Sequence, residues 1–469
     1  MTSRPRNIGE LRDSGYEVTP VKAEMEKNLI RAMESGEELF PGVQGYENTV
    51  IPQIANAILS HHDMILLGEK GQAKTRIMRS LARFLDEEAP AIAGCEINDN
   101  PFDPVCASCR RKVAERGDMV EISWIPRQRR YGERLSPGTK IADLIGDLDP
   151  AKVAGGAALA SEDALSFGLI PRMNRGIFAI NELPDLEYLI QVSLFNILEE
   201  RDVQIRGYPI RFPLDVAIVF SANPEEYSRS GKIISQLKDR IGAEIRAHYP
   251  LSRDVGIKII EQEAKVDVGE GYELAVPDFI KEIVEQITIE ARRSPYVNRK
   301  SGVSARLSIT NFETVIANAR RRALTLKEKL VVPRISDLNY LYTSSAGKIE
   351  LDPFREESLS ESEVFTRIME TAILRVFEER FPAGALEDVV AGVKDAVTLE
   401  TGDMVPSEDY KALISMVPQL WEPVHSLGGD ESDQMRASCV EFVLEGLSLS
   451  GRLTRRKRGD LATYRNPAG

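Results

Sequence analysis

The spacing of apolar residues changes character three times along this chain. Up to residue 35 it is that of a polar helix, with Val21, Met25, Leu29 and Met33 recurring every four residues on one face. A turn at 40–46, Phe-Pro-Gly-Val-Gln-Gly-Tyr, precedes an apolar helix from Val50 to Leu59. From 63 to about 250, short apolar runs alternate with helical patterns. The runs are Met64–Leu67, Val120–Trp124, Gly176–Asn181, Val216–Ser221 and Ile245–Tyr249. This alternation predicts an α/β domain, a five-stranded parallel sheet flanked by helices. Between 251 and 348 only helical spacing remains, as expected of a small lid domain. Residues 349–469 form an acidic, helix-rich extension ending in a basic cluster, Arg452, Arg455, Arg456, Lys457 and Arg458. The boundaries implied are 1–35, 36–250, 251–348 and 349–469.

Composition narrows the class. A chain of 469 residues, 42% hydrophobic and 28% charged, can bury more than one core. The formal charge of −13 does not favour nonspecific binding to nucleic acid or anionic membrane. No apolar stretch approaches the ~20 residues that span a bilayer, and the N-terminus lacks an apolar signal core, so a cytosolic location is expected. Four cysteines in this length do not suggest a disulfide scaffold.

The first candidate chemistry follows the run Met64–Leu67. Gly68, Glu69, Lys70, Gly71, Gln72, Ala73, Lys74 and Thr75 form a Gly-rich loop between a strand and a helical pattern, the context of a phosphate site. Backbone N–H groups of such a loop face the phosphates. Lys74 adds a point charge near the β- and γ-phosphates, and Thr75 a hydroxyl for Mg²⁺. Ala73 stands where a second glycine is usual, a small intrusion if its φ is negative.

Two further strands end in polar groups, which a parallel sheet would set beside that loop. Gly176–Ile180 leads into Asn181 and Glu182. Glu182 is the candidate to orient and deprotonate a water. Asn181 occupies the place of an aspartate that supports the Mg²⁺ shell, and its amide oxygen can accept from a metal-bound water without adding charge. The run Val216–Ser221 leads through Ala222 into Asn223, a candidate contact for the nucleophilic water or the γ-phosphate. Arg240 closes a helical pattern, and its order in the chain suggests a finger reaching a neighbouring subunit's ATP. Arg306, at the start of a lid helix, could touch the γ-phosphate.

In order, these segments resemble an AAA+ ATPase from about residue 36 to 345. GEKGQAKT is similar to a Walker A loop, GIFAINE to Walker B, SANPEE to sensor 1, LKDR to the arginine-finger segment and GVSARLS to sensor 2. FPGVQGYE, with Gly45, resembles the loop that cups adenine. RGIFAINELPDL, ERDVQIRGYPIRFPLDV and SANPEEYSRSGKIISQLKDRIGAEIRAHYP resemble the magnesium chelatase I subunit and its MoxR-type relatives. The resemblance implies ATP and Mg²⁺ as cofactors and a ring, a hexamer, with Arg240 acting in trans. It also implies a helix-2 insert near 148–173, a hairpin near 203–213 around Gly207, and a partner bearing a von Willebrand-type metal-adhesion domain. The implied role is a motor subunit that hydrolyses ATP to drive a metal-insertion or remodelling partner. Three other readings stay open: an ATP-gated scaffold with little turnover, a MoxR-type chaperone for metal loading, and a DNA-linked AAA+ protein, which the acidic charge disfavours.

Cys95, Cys106 and Cys109 are spaced C-x10-C-x2-C in a loop-like stretch. Zn²⁺ or another metal, reduced structural thiols and a redox-sensitive cluster are the alternatives. A fourth ligand is not evident nearby in sequence, with His61 or His62 available only through folding. Cys439 reads as core. The basic stretch Arg127–Tyr131, with Arg134 and Lys140, could bind nucleic acid if it lined a ring pore, but reads first as subunit-interface or nucleotide surroundings, and the C-terminal basic run reads as a solvated tail or partner contact.

Overall fold

Five short strands build the central sheet: β1 Met64–Leu67, β2 Tyr131–Arg134, β3 Gly176–Ile180, β4 Val216–Ala222 and β5 Ala243–Arg246. They lie in the order β5-β1-β4-β3-β2, all parallel. This is the five-stranded parallel sheet the sequence predicts, with apolar clusters on both of its faces. The computed structural model describes residues 4–134, 138–156, 161–205, 211–229, 232–298, 302–351, 359–393, 398–459 and 461–466.

Side chains alternate across each strand, so β1, β3 and β4 each supply both faces. Ile65, Leu67, Phe178, Ile180, Ile218 and Phe220 face one apolar cluster. Met64, Leu66, Ile177, Ala179, Ala217 and Val219 face the other. Burial on both sides explains why these strands read as unbroken apolar runs.

One expected strand belongs elsewhere. The run at Val120–Trp124 becomes the strand Ile122–Pro126, which pairs antiparallel with Glu88–Ile92 outside the sheet. The fifth parallel strand is instead β2, Tyr-Gly-Glu-Arg, docked at the sheet edge against β3. The last strand also starts earlier than expected. Ala243 N donates to Asp63 O at 3.2 Å and Ala247 N to Leu67 O at 2.7 Å, which fixes β5 on β1.

The N-terminal residues form two helices, α1 Ile8–Asp13 and α2 Val21–Glu34, followed by α3 Val50–Leu59. Val21, Met25 and Leu29 join the second apolar cluster, whereas Met33 is 52% exposed. Two polar contacts pin α2 to the sheet. The Asp215 carboxylate accepts the Val21 N–H at 2.8 Å. Arg130 forms a bidentate pair with Glu24, at 2.7 and 2.5 Å, and donates to Arg175 O at 2.8 Å. Arg130 and Glu24 are 2% and 4% exposed. Arg130, expected at an interface or beside the nucleotide, is therefore an interior strut. Arg130→Met would strand the Glu24 carboxylate, at a cost of about 3–5 kcal/mol, and Arg130→Met/Glu24→Leu should recover most of it. Urea unfolding of the full chain tests this, and a loss under about 1 kcal/mol for the single variant contradicts it.

The chain divides into two compact units, Met1–His248 and Tyr249–Gly469. In the second, one apolar cluster runs from Ile260 to Tyr464, so residues on both sides of 349 share a core. Phe279, in the helix Asp278–Arg293, stacks on Phe442 in Asp433–Leu449 with ring centroids 4.4 Å apart. The C-terminal extension is not purely helical. Leu399–Gly402, Leu461–Arg465 and Thr454–Arg458 form an antiparallel sheet. The basic run is thus a strand, not a loose tail: Arg455 pairs with Glu445 and, at 3.2 Å, with Glu370. Cys439 is fully buried. Among the described residues no helix is long and apolar enough to cross a membrane.

Candidate functional site

The register of the sheet decides what meets at its carboxyl edge. Leu67 is level with Ala222, and Ile180 with Phe220. Gly68, Asn181, Glu182 and Asn223 therefore leave neighbouring strands at one edge. Gly68 N donates to Ala222 O at 3.1 Å, tying the loop to β4.

The loop Gly68–Thr75 is held by its own side chains. Gln72 Oε1 accepts the Glu69 N–H at 2.9 Å. A Cβ on Gly68 would lie 2.5 Å from that oxygen and 2.9 Å from Ala247 Cβ, so glycine is required there. Gly71 and Ala73 both have positive φ, 79° and 55°. The benign case of a negative φ at Ala73 does not hold, and an alanine in this conformation stores roughly 1–2 kcal/mol of strain. Lys70 and Thr75 are exposed, Glu69 half-buried.

Lys74 begins the helix α4 Lys74–Ser80 and is 9% exposed. Its ammonium donates to Gly68 O and, at 3.0 Å, to Glu69 O. Burial lowers its pKa, while the Glu182 and Glu69 carboxylates oppose that shift. Glu182 mirrors it: burial raises the carboxyl, and Lys74 pulls it back. The two groups thus act on each other across the strand ends. Glu182 takes a left-handed backbone, φ 51°, and its N–H donates to Ser221 Oγ at 3.3 Å. Ser221 in turn donates to Asn181 Oδ1 at 3.3 Å, leaving that oxygen a second lone pair. Asn223 caps the helix Pro224–Ser228 through Oδ1, 3.1 Å from Glu225 N, so its amide N–H groups are the part that can meet an oxyanion.

Gly45 also has positive φ, 81°, and delivers Tyr46 beneath the loop. The Tyr46 hydroxyl donates to His248 O at 2.7 Å, with Gln72 O at 3.1 Å. Burial pushes this phenol up to about 12, so it stays protonated. Neither Ser221 nor Tyr46 stands out from sequence as a site residue, although both lie within the quoted segments, Ser221 opening SANPEE and Tyr46 in FPGVQGYE.

Arg240 ends the helix Ser235–Arg240. Its Nε donates to Glu199 at 2.6 Å and its guanidinium lies 4.0 Å from the Phe195 ring centroid. Arg306 belongs to the second unit, exposed at the first position of Arg306–Leu326, with its N–H on Ser304 Oγ at 3.1 Å. In the insert region, Gly146–Leu148 pairs with Leu165–Phe167, and 157–160 lie outside the described residues. Asp202–Gln204 pairs antiparallel with Arg211–Pro213, and Gly207 between them also lies outside. Cys95, Cys106 and Cys109 come together, joined by Asp99, which sequence spacing did not reveal.

No protein-family model matches the chain. It is similar to a magnesium-chelatase subunit ChlI homolog of Methanocaldococcus jannaschii, 32% identical over 211 residues, covering 43% of this chain and 53% of that one. It is also similar to magnesium-chelatase subunit ChlI of Nephroselmis olivacea, 24% identical over 362 residues, covering 73% and 98% respectively. The chain spans about half the length of the first curated relatives it matches. Among solved structures, a model of the complex between subunits BchI and BchD of magnesium chelatase aligns with 88% of this chain and 93% of its own at 18% identity, with a TM-score of 0.35.

Proposed function

From the premise that this is an AAA+ chain similar to magnesium-chelatase I subunits, we propose that it hydrolyses Mg²⁺-ATP as a ring-forming motor subunit. The observation that supports this best is the convergence of Lys74, Glu182 and Asn223 on one sheet edge, with Lys74 and Glu182 electrostatically linked.

The loop amides and Lys74 bind the phosphates, the ammonium exchanging its bonds to Gly68 O and Glu69 O for phosphate oxygens. Glu182 orients a water and takes its proton as the water oxygen bonds the γ-phosphorus and the bond to the β-phosphate oxygen breaks. A raised carboxyl pKa suits that task, because a base works best with a pKa nearer the working pH. Asn223 donates its amide N–H to the water or the γ-phosphate. Thr75, with an exposed hydroxyl, and Asn181, with a spare lone pair, fit a hydrated Mg²⁺; that ion supplies charge neutralisation at the β- and γ-phosphates. Arg240 comes from a neighbouring subunit.

The ring works on a partner, which we take to carry a von Willebrand-type metal-adhesion domain and to perform metal insertion or remodelling. Steady-state ATPase activity across Mg²⁺ and protein concentration, beside light scattering with and without ATP, tests the motor reading. Turnover should rise as the ring assembles. Assembly on ATP without turnover would replace the motor with an ATP-gated scaffold.

A further inference from the structure

The segment 93–106 crosses from the strand Glu88–Ile92 to the helix Ala107–Arg116 without regular secondary structure. The apolar cluster around it is small: Ile8, Leu11, Ile92, Ile97, Val120 and Ile122, plus Cys106 and Cys109 themselves. At its centre, Sγ of Cys95, Cys106 and Cys109 and a carboxylate oxygen of Asp99 all lie within 4.8 Å of one another. All four cysteines of the chain are free thiols.

We propose that Cys95, Asp99, Cys106 and Cys109 bind one structural Zn²⁺. Three thiolates and a carboxylate complete a tetrahedral shell, and thiolates select a soft or borderline metal over Mg²⁺ or Ca²⁺. The spacing suits a mononuclear ion: Zn–S bonds of about 2.3 Å place tetrahedral ligands ~3.8 Å apart, so the side chains need close by only about 1 Å at most. Backbone donors already support the ligand atoms. Ile97 N donates to Cys95 Sγ and Cys109 N to Cys106 Sγ, both at 3.4 Å. Val105 N and Cys106 N donate to the two Asp99 oxygens, at 3.2 and 3.0 Å, which fixes the carboxylate and leaves each oxygen another lone pair. Among the described residues no lysine or arginine pairs with Asp99, although it is fully buried. A cation at the thiol cluster supplies that missing partner.

With four protein ligands the site has no open position, so its role is to hold the fold, not to act on substrate. What it holds is the mount of the insert region. Asn98 donates to Arg172 O at 2.9 Å, and Arg110 and Arg111 pair with Glu162 and Asp163 at 2.8 and 2.6 Å. The ion therefore stiffens the loop and helix against which residues 161–172 are braced.

The test is the metal content and thiol count of the full chain, purified without added metal or chelator. About one Zn per chain, with four reactive thiols after chelation in denaturant, supports the site. Co²⁺ exchanged into it should give thiolate-to-metal charge-transfer bands and intense tetrahedral d–d bands. Two variants that spare the thiols define the fourth ligand. Asp99→Ala should release Zn²⁺ to a chromogenic chelator at least ~10-fold faster, whereas Asp99→Cys should retain one ion and strengthen the Co²⁺ charge transfer. Metal-free protein with all thiols free, a disulfide within the cluster, or iron in place of zinc would overturn the proposal. Unaltered release from Asp99→Ala would remove Asp99 from the ligand set.

Discussion

Glu182→Gln should bind ATP and assemble, yet lose about 10²–10⁴ in kcat, the contribution typical of a positioned general base. The amide keeps the size of the carboxylate and loses only its basicity. Burial holds the Glu182 carboxyl above its ordinary value, with Lys74 working against that rise. Because the base acts when ionised, wild-type kcat should fall with decreasing pH along a limb displaced above the ordinary carboxylate range, and this limb should vanish in the variant. The stability consequence has the opposite sense. A carboxyl with a raised folded pKa favours the protonated folded state, so its contribution is present below the unfolded pKa and declines as pH rises through the folded one. Glu182→Gln should therefore not lower the melting temperature at neutral pH. Rate loss without stability loss separates a chemical role from a structural one; undiminished turnover, or a melting temperature that falls with it, defeats the base assignment.

The parts of this site that were legible in sequence are those where chemistry and burial coincide. β1, β3 and β4 are buried on both faces, so they read as apolar runs, and their polar termini mark the carboxyl edge. β2 was missed for the converse reason. Tyr131–Arg134 lies at the sheet edge, where one neighbour suffices and Gly, Glu and Arg are tolerated, and nothing in its hydropathy says strand. The run around Val120–Trp124 was apolar enough to mislead, since an antiparallel ribbon over a small core has the same composition as a parallel strand. Arg130 illustrates a different limit. A cluster of arginines reads as surface, and only the position of Glu24, 106 residues earlier, reveals one as an interior partner. Asp99 was invisible for a similar reason: a carboxylate ligand has no spacing rule as recognisable as C-x2-C, and a positive φ at Asn98 turns the loop that delivers it. Ala73 departs from expectation in backbone geometry, which the sequence pattern does not report.

Arg240→Ala should cost about 10³ or more in kcat, the range expected of an arginine that stabilises transition-state charge. Within its own chain Arg240 is tied to Glu199 and stacked over Phe195 at the surface, the arginine half-buried and the glutamate exposed. Such a pair contributes little to stability, so the variant should melt as wild type does and bind ATP normally. The guanidinium would exchange Glu199 for phosphate oxygens only when a neighbouring loop is presented to it, which makes turnover dependent on assembly. That dependence can be isolated by mixing. An Arg240→Ala subunit keeps an intact loop, and a Lys74→Ala subunit keeps an intact finger, so neither alone can form a complete site. In random 1:1 rings with head-to-tail contacts, about a quarter of interfaces pair an intact loop with an intact finger. Activity near that fraction of wild type should appear on mixing the two inactive proteins. Rescue fixes the arginine as a group supplied in trans. Its absence, in rings shown by light scattering to contain both chains, would return Arg240 to a purely intrachain role with Glu199.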